Sequence, residues 1–139
     1  MGALSQRTIA KVSGPAWVEL HGQFMQIARL LLAASPDADS KLLTTYVKFT
    51  TSSDPNSPVY GVVWLKNSKQ MMVGLALPEE YDAQELGPAP LGTVYKGLNK
   101  YFVVERGGAV PKGFAEWASL AYQNASSADP WATVAGVVD

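Results

Sequence analysis

Two apolar runs separated by a short polar interval dominate the hydrophobic pattern of the chain, and they lie between Val59 and Pro78. Both runs are rich in β-branched and aromatic residues and are bounded by turn formers, which is typical of β-strands. Asn67 and Ser68 fit a two-residue turn between the runs, and a turn of that length fixes the pairing register. The pattern therefore predicts a β-hairpin at the centre of the fold.

This turn also predicts which side chains share a face of the hairpin. The large apolar side chains expected to face the core together, as opposite pairs, are Trp64 with Met71, Val62 with Val73, and Tyr60 with Leu75. On the other face the same register pairs Gly61 with Gly74, which leaves a depression between two strands. Two interpretations of that depression stay open: a helix or loop packs closely there, or a ligand approaches the sheet.

Helical periodicity flanks the hairpin on both sides. Ser13-Gly14-Pro15 supplies an N-cap and a first-turn proline, and the apolar spacing that follows predicts a helix to about Ala34, before Ser35-Pro36. A second helix is predicted from about Phe114 to Ala125, with Glu116 in its first turn, where a negative charge suits the helix dipole. The side chains of the first helix expected to point inward are Trp17, Phe24 and Leu31.

Alternating residues from Leu43 to Thr51 predict a strand before the hairpin, and the second half of Tyr95–Arg106 predicts another after it. Pro36–Ser40 and Ser52–Pro58 are polar and predict loops. Consecutive strands with short links form an antiparallel meander. The sequence thus predicts an α+β fold, in which an antiparallel sheet of about four strands is packed by an N-terminal and a C-terminal helix.

The chain has 139 residues, a length that suits one domain. We expect a single domain with residues 1–12 and 126–139 as peripheral arms. Residues 3–12 fit either a short helix or an edge strand, and Trp131–Val138 fits either a short helix or a strand. Because cysteine is absent, neither disulfides nor thiolate metal sites are expected.

The charge balance and the apolar runs exclude several classes of protein. Twelve acids against eleven bases give a net charge of −1, which argues against a general nucleic-acid or anionic-membrane binder. No run has the length of a membrane span, and the first residues lack the apolar core of a signal peptide. We therefore expect a cytoplasmic protein that binds neither nucleic acid nor membranes.

The stretch Gly113–Ala118, followed by Ala121 and Tyr122, resembles the closing helix of the small uncharacterised bacterial domains of the YdhG-like group, in which an acid, a tryptophan and an Ala-Tyr pair recur. The order of elements from Trp17 to Tyr122 is also similar, whereas Lys96–Asn99 and the residues after Asn124 depart from that pattern. The resemblance implies a bacterial α+β domain without an established activity.

None of the recognised catalytic or metal-binding patterns is complete in the sequence. His21 is the single histidine and has no nucleophile in a motif, so we interpret it as a boundary residue of the first helix. Asp37 and Asp39 begin like a calcium loop, but Lys41 occupies the next ligand position. Gly107-Gly108 lacks the rest of a phosphate-binding loop. We predict no catalytic residue, no metal site and no cofactor, and a non-enzyme is favoured over an enzyme.

Two charged stretches remain as candidates for chemistry. The acids, interpreted as a solvated connection, are Glu79, Glu80, Asp82 and Glu85. In the other stretch the bases Lys96, Lys100 and Arg106 are interleaved with aromatic residues, a combination that can hold an anion beside a flat ring. The alternative interpretation places Phe102 and Val104 in the core and the charges in water.

Two functions are compatible with these features. The first is a non-catalytic small-ligand-binding or sensing domain whose mostly apolar, aromatic-lined pocket takes a small apolar or anionic molecule. The residues predicted to line the mouth of that pocket are Tyr46, Lys48, Lys96, Tyr101 and Arg106. The alternative is a protein–protein interaction module that forms a homodimer, suggested by a charged fraction of only 17% and by the apolar tail Trp131–Val138.

Overall fold

The computed structural model describes residues 6–12, 14, 17, 20–67, 70–88, 95 and 97–127. The elements in chain order are α1 (Gln6–Val12), α2 (His21–Leu32), β1 (Asp39–Leu42), β2 (Tyr46–Thr50), β3 (Val59–Asn67), β4 (Gln70–Leu75), β5 (Lys100–Glu105) and α3 (Phe114–Ser127). The five strands form one antiparallel sheet in the order β1-β2-β3-β4-β5. The predicted α+β class, the meander and the two packing helices are confirmed.

The sheet has one strand more than the predicted four, because β1 lies partly in the stretch interpreted as a loop. Its sequence is short and polar, as edge strands often are. The predicted strand Leu43–Thr51 is correspondingly shorter at its start, since residues 43–45 belong to the turn from β1 to β2, where the Leu43 N–H donates to the Tyr46 carbonyl over 2.7 Å.

The predicted register of the central hairpin is wrong by one residue. Asn67 pairs with Gln70, so residues 68 and 69, outside the described residues, separate the strands, and the turn is one position later than predicted. An irregularity between Trp64 and Asn67 then places two residues of β3 opposite one of β4. As a result Trp64 pairs with Met72 rather than Met71, and Val62 and Trp64 lie on the face opposite Met71, Val73 and Leu75. Tyr60 is the exception, because a second irregularity in β3 returns it to the face covered by the helices.

The predicted depression between Gly61 and Gly74 does not form, because the two glycines pair with different residues and lie on opposite faces of the sheet. A Cβ at Gly61 would meet a methyl group of Leu31 at 3.2 Å, and a Cβ at Gly74 would meet the Tyr101 ring at 2.7 Å. Each glycine therefore permits close packing, the first of the two interpretations, and neither leaves an opening.

Helices α2 and α3 cover one face of the sheet. On β5, Phe102 packs edge-to-face against Phe114 and Trp117 of α3, with ring centroids 5.5 and 5.6 Å apart. The predicted inward residues Trp17, Phe24 and Leu31 are buried. Helix α2 begins at His21 rather than near residues 13–15, and residues 6–12 form a helix, one of the two alternatives for this stretch. The tail Trp131–Val138 lies outside the described residues.

Tyr60 ties the sheet to both helices. A register shift between Phe49 and Thr50 leaves it as the extra residue of β3. It is fully buried, its hydroxyl donates to the Leu31 carbonyl over 2.6 Å, and its ring lies edge-on to Tyr122. Burial first, and the neighbouring Tyr122 phenol second, raise the pKa of Tyr60 well above its usual value.

Replacing Tyr60 with phenylalanine is expected to lower the free energy of unfolding by about 1–2 kcal/mol, because the Leu31 carbonyl loses its buried hydroxyl donor and keeps the longer hydrogen bond from the Ala34 N–H, at 3.2 Å. The measurement is urea unfolding at neutral pH. Tyr81→Phe is the matched control, since its hydroxyl hydrogen bond to Glu116 is exposed, and we expect its midpoint to equal that of the wild type. A Tyr60→Phe midpoint equal to the wild type would show that the hydrogen bond contributes nothing.

The stabilities of the wild type and of Tyr60→Phe are expected to depend differently on pH. Above about pH 10 the Tyr60 phenol ionises in the unfolded chain but stays neutral in the folded chain. Its contribution to the free energy of unfolding is therefore fully present below that pH and is lost as the pH rises further. In Tyr60→Phe this contribution is absent, and its urea midpoint should decline less steeply between about pH 10 and 11.5. Parallel declines would contradict the assignment.

Candidate ligand-binding site

Four aromatic side chains form a continuous row on the sheet face that points away from α2 and α3. The ring centroids of Tyr95 and Tyr46 are 5.8 Å apart, those of Tyr46 and Trp64 6.3 Å, and those of Trp64 and Tyr101 6.0 Å. The rings are tilted or edge-on, the arrangements that aromatic pairs favour. We call Tyr95, Tyr46, Trp64 and Tyr101 the aromatic row.

The structure places three of the five predicted site residues on this face. Tyr46 and Lys48 are alternate residues of β2 and are half-buried, and Tyr101 lies on β5 at the end of the row. Arg106 is in the turn after β5 and is exposed. Lys96 lies outside the described residues. Ligand binding by the five residues stays a prediction.

The Tyr101 side chain is buried among its neighbours and makes two hydrogen bonds to the backbone. Only 4% of its surface is exposed. Its hydroxyl donates to the Leu98 carbonyl over 3.1 Å and accepts the Tyr95 N–H over 3.3 Å. Burial first, and the nearby Tyr46 phenol second, raise the pKa of Tyr95. The row therefore serves as a second apolar layer beneath the segment that leads into β5.

A pocket of about 150 Å³ lies at the β1–β2 end of the sheet. The residues that line this edge pocket are Asp39, Ser40, Lys41, Lys48, Thr50, Ser53, Asp54 and Pro55. Lys48 is the predicted site residue among them, and Tyr46 is the next residue of β2 on the same face. The pocket thus lies next to the aromatic row along β2.

Strand pairing explains the arrangement of charges in the edge pocket. Lys41 pairs directly with Lys48, and Asp39 pairs with Thr50. These four side chains share a face because strand residues alternate, whereas Ser40 lies between them on the helix side, where its hydroxyl is buried without a hydrogen-bond partner. Like charges that face each other across an antiparallel pair are unfavourable, so the lysine pair costs the sheet stability.

The loop wall of the edge pocket is held by hydrogen bonds. The Thr50 hydroxyl donates to the Ser52 carbonyl over 2.8 Å, and the Asn56 N–H donates to a carboxylate oxygen of Asp54 over 2.8 Å. From α3, the Tyr122 hydroxyl donates to the Thr51 carbonyl over 2.8 Å. The loop that carries Asp54 is therefore fixed to β2 and to α3.

A larger groove of about 530 Å³ lies where the chain leaves β4 and enters β5. Its lining residues are Leu77, Pro78, Glu79, Glu80, Gly97, Leu98, Asn99 and Asn124. The Asn99 side chain bonds both backbone groups of Leu77, and the Asn124 amide donates to the Ala76 carbonyl. The acids of this stretch, Glu79, Glu80, Asp82 and Glu85, are exposed, as a solvated connection requires.

Asp39 and Lys41 belong to one charged surface that the sequence does not predict. Asp39 falls in a predicted loop, and in sequence both residues are noticeable only as positions in an incomplete calcium loop. The alternation Asp39-Ser40-Lys41 was an available signal, but three residues are too few to indicate a strand. Among the described residues, no group of three or more histidine, cysteine, aspartate or glutamate side chains could hold a metal ion.

The site belongs to an α+β domain whose five-stranded meander carries helices on one face and the aromatic row on the other. A comparison of the chain with protein families, with curated proteins and with solved structures gave no match. The resemblance to YdhG-like domains therefore stays a prediction. None of the three described helices has the length and apolar character that a membrane crossing requires.

Proposed function

We propose that this chain is a non-catalytic domain that binds a small molecule in the edge pocket. The observation that carries the proposal is the convergence of charged and hydroxyl side chains from β1, β2 and the following loop around one concavity. Binding sites combine such polar groups with an apolar wall, and Pro55 is the apolar residue of this lining. At 150 Å³ the pocket is smaller than the roughly 300–1,000 Å³ of drug-sized sites, so the ligand is a small metabolite.

The proposal keeps two of the predicted residues and changes the role of a third. Lys48 lines the edge pocket and is a binding residue, whereas Tyr46 is its neighbour on the same face of β2 and is kept only as part of the adjacent aromatic row. Tyr101 supports the row through Trp64 and does not contact the ligand. Arg106 is not among the residues that line the edge pocket.

The edge pocket is a better candidate for ligand binding than the larger groove, because the polar side chains of the groove are used in hydrogen bonds to the backbone. In the groove, both polar ends of Asn99 and the amide group of Asn124 already bond the backbone. In the edge pocket, Lys41 and Lys48 are brought together at a cost that the fold alone does not explain.

The alternative, self-association as a homodimer, has little support among the described residues. The large apolar side chain exposed there is Val103, at 42%, and a single exposed apolar residue is ordinary for a monomer. The apolar tail that suggested the interface lies outside the described residues, so the homodimer stays a prediction.

A thermal-shift screen tests the proposed function. Small anionic, zwitterionic and apolar metabolites are added at millimolar concentration, and a ligand present at 100 times its Kd should stabilise the fold by about 2.7 kcal/mol. We expect at least one hit whose binding shifts the backbone amide signals of residues 39–41 and 48–54. Lys48→Gln should weaken that hit at least tenfold, while Lys112→Gln, an exposed site with the same charge change, leaves it unchanged. The absence of any hit at these amides would refute the proposal.

A further inference from the structure

We infer that the edge pocket takes a small zwitterion, in which an anionic oxygen group contacts Lys41 and Lys48 and an ammonium group contacts Asp39 and Asp54. The inference rests on the proposed function and specifies the class of its ligand. Amino acids and aminoalkyl phosphates both carry an ammonium group and an anionic oxygen group.

Lys41 and Lys48 form the part of the site that contacts the anionic group of the ligand. Residues directly opposite in an antiparallel pair have Cβ atoms about 4.5–5.5 Å apart, so the side chains of Lys41 and Lys48 begin close together on one face. A carboxylate or phosphate between the two ammonium groups would interact with both and remove their mutual repulsion.

Asp39 and Asp54 form the part of the site that contacts the ammonium group of the ligand. Asp39 lies two residues from Lys41 on the same face of β1, and Asp54 lies on the loop wall. One carboxylate oxygen of Asp54 accepts the Asn56 N–H, but an ionised carboxylate has about four acceptor positions, so its capacity is not exhausted. An ammonium group can donate up to three hydrogen bonds to such acceptors.

The charge sum of the pocket favours a zwitterion over an ion of one sign. Two lysines and two aspartates line it, and their charges cancel. A simple anion would be attracted by one wall and repelled by the other, as would a simple cation. A molecule with both charges interacts favourably with both walls.

The test is an NMR titration of the full chain with four small probes. L-serine and phosphoethanolamine carry both charges, lactate carries only the anionic group, and ethanolamine carries only the ammonium group. We expect the first two to shift the amide signals of residues 39–41 and 48–54 with a Kd at least tenfold lower than that of the other two. Comparable binding of lactate or ethanolamine would overturn the inference, and a difference between serine and phosphoethanolamine tells which anionic group is preferred within it.

Variants of single charged residues test which wall of the pocket binds which group of the ligand, and each has a control with the same charge change elsewhere. Lys41→Gln and Asp54→Asn should each raise the Kd of the better zwitterion at least tenfold. The controls Lys112→Gln and Asp82→Asn make the same charge changes at exposed positions outside the pocket and should stay within twofold of the wild type. Unchanged amide signals away from the pocket show that each variant is folded.

Failure of the inference and failure of the proposed function are distinguishable. If neither zwitterion binds but another screened compound shifts these amides, the inference is wrong and the pocket is still a binding site. If no compound shifts them, both are wrong.

Discussion

Replacing Trp64 with alanine is expected to lower the free energy of unfolding by about 3–5 kcal/mol. The side chain is 93% shielded from solvent, since only 7% is exposed, and its ring contacts both Tyr46 and Tyr101. The alanine variant loses the buried area of the largest side chain in the row and two aromatic contacts, each worth about 0.5–1.5 kcal/mol beyond area. Urea unfolding followed by circular dichroism measures the loss.

Double-variant cycles with leucine, which keeps much of the apolar volume, test where Trp64 lies. Trp64→Leu and Tyr101→Leu should be coupled by about 0.5–1.5 kcal/mol, because the rings touch. Trp64→Leu and Met71→Ala should be additive to within about 0.5 kcal/mol, because these side chains are on opposite faces. Coupling of Trp64 to Met71 instead of Tyr101 would favour the register predicted from the sequence.

Replacing Gly74 with alanine is expected to lower the free energy of unfolding by about 2 kcal/mol, and replacement with valine by about 3 kcal/mol. Alanine ordinarily stabilises a strand relative to glycine by about 0.5–1 kcal/mol. At this position its Cβ would lie 2.7 and 3.0 Å from two carbons of the Tyr101 ring and 3.1 Å from a methyl group of Leu98. The ring cannot swing aside without losing its hydroxyl hydrogen bond to Leu98, so the overpacking outweighs the gain.

Two other glycines are matched controls for Gly74. Gly61→Ala places its Cβ 3.2 Å from the end of the Leu31 side chain, which can adjust, and we expect a smaller loss of about 0.5–1 kcal/mol. Gly22→Ala meets nothing within 4 Å and lies in α2, so no loss is expected. A Gly74→Ala variant as stable as Gly22→Ala would show that Tyr101 does not lie over Gly74.

The hairpin could be predicted from the sequence, but its register could not, for a physical reason. Side chains from Tyr60 to Leu65 are all buried, since helices cover one face and the aromatic row forms a layer on the other. A polar face normally penalises a one-residue slip, and here no polar face marks the correct register. The irregularity near Trp64 adds a further residue that hydrophobic spacing does not reveal.

The candidate site could be predicted in part. Alternation along β2 correctly placed Tyr46 and Lys48 on one face. Lys41 was missed because its importance depends on the residue opposite it, and that partner became known only once β1 was recognised as a strand. Short, charged edge strands resemble loops in sequence, so pairwise features at a sheet edge are the hardest to predict.

The hydrogen bond from the Tyr122 hydroxyl to the Thr51 carbonyl links α3 to the residue that follows β2, where the loop wall of the edge pocket begins. A motion that lifts this part of the loop away from α3 would break that hydrogen bond. If the proposed ligand binds in the edge pocket, its binding would be thermodynamically linked to the contact between the loop wall and α3.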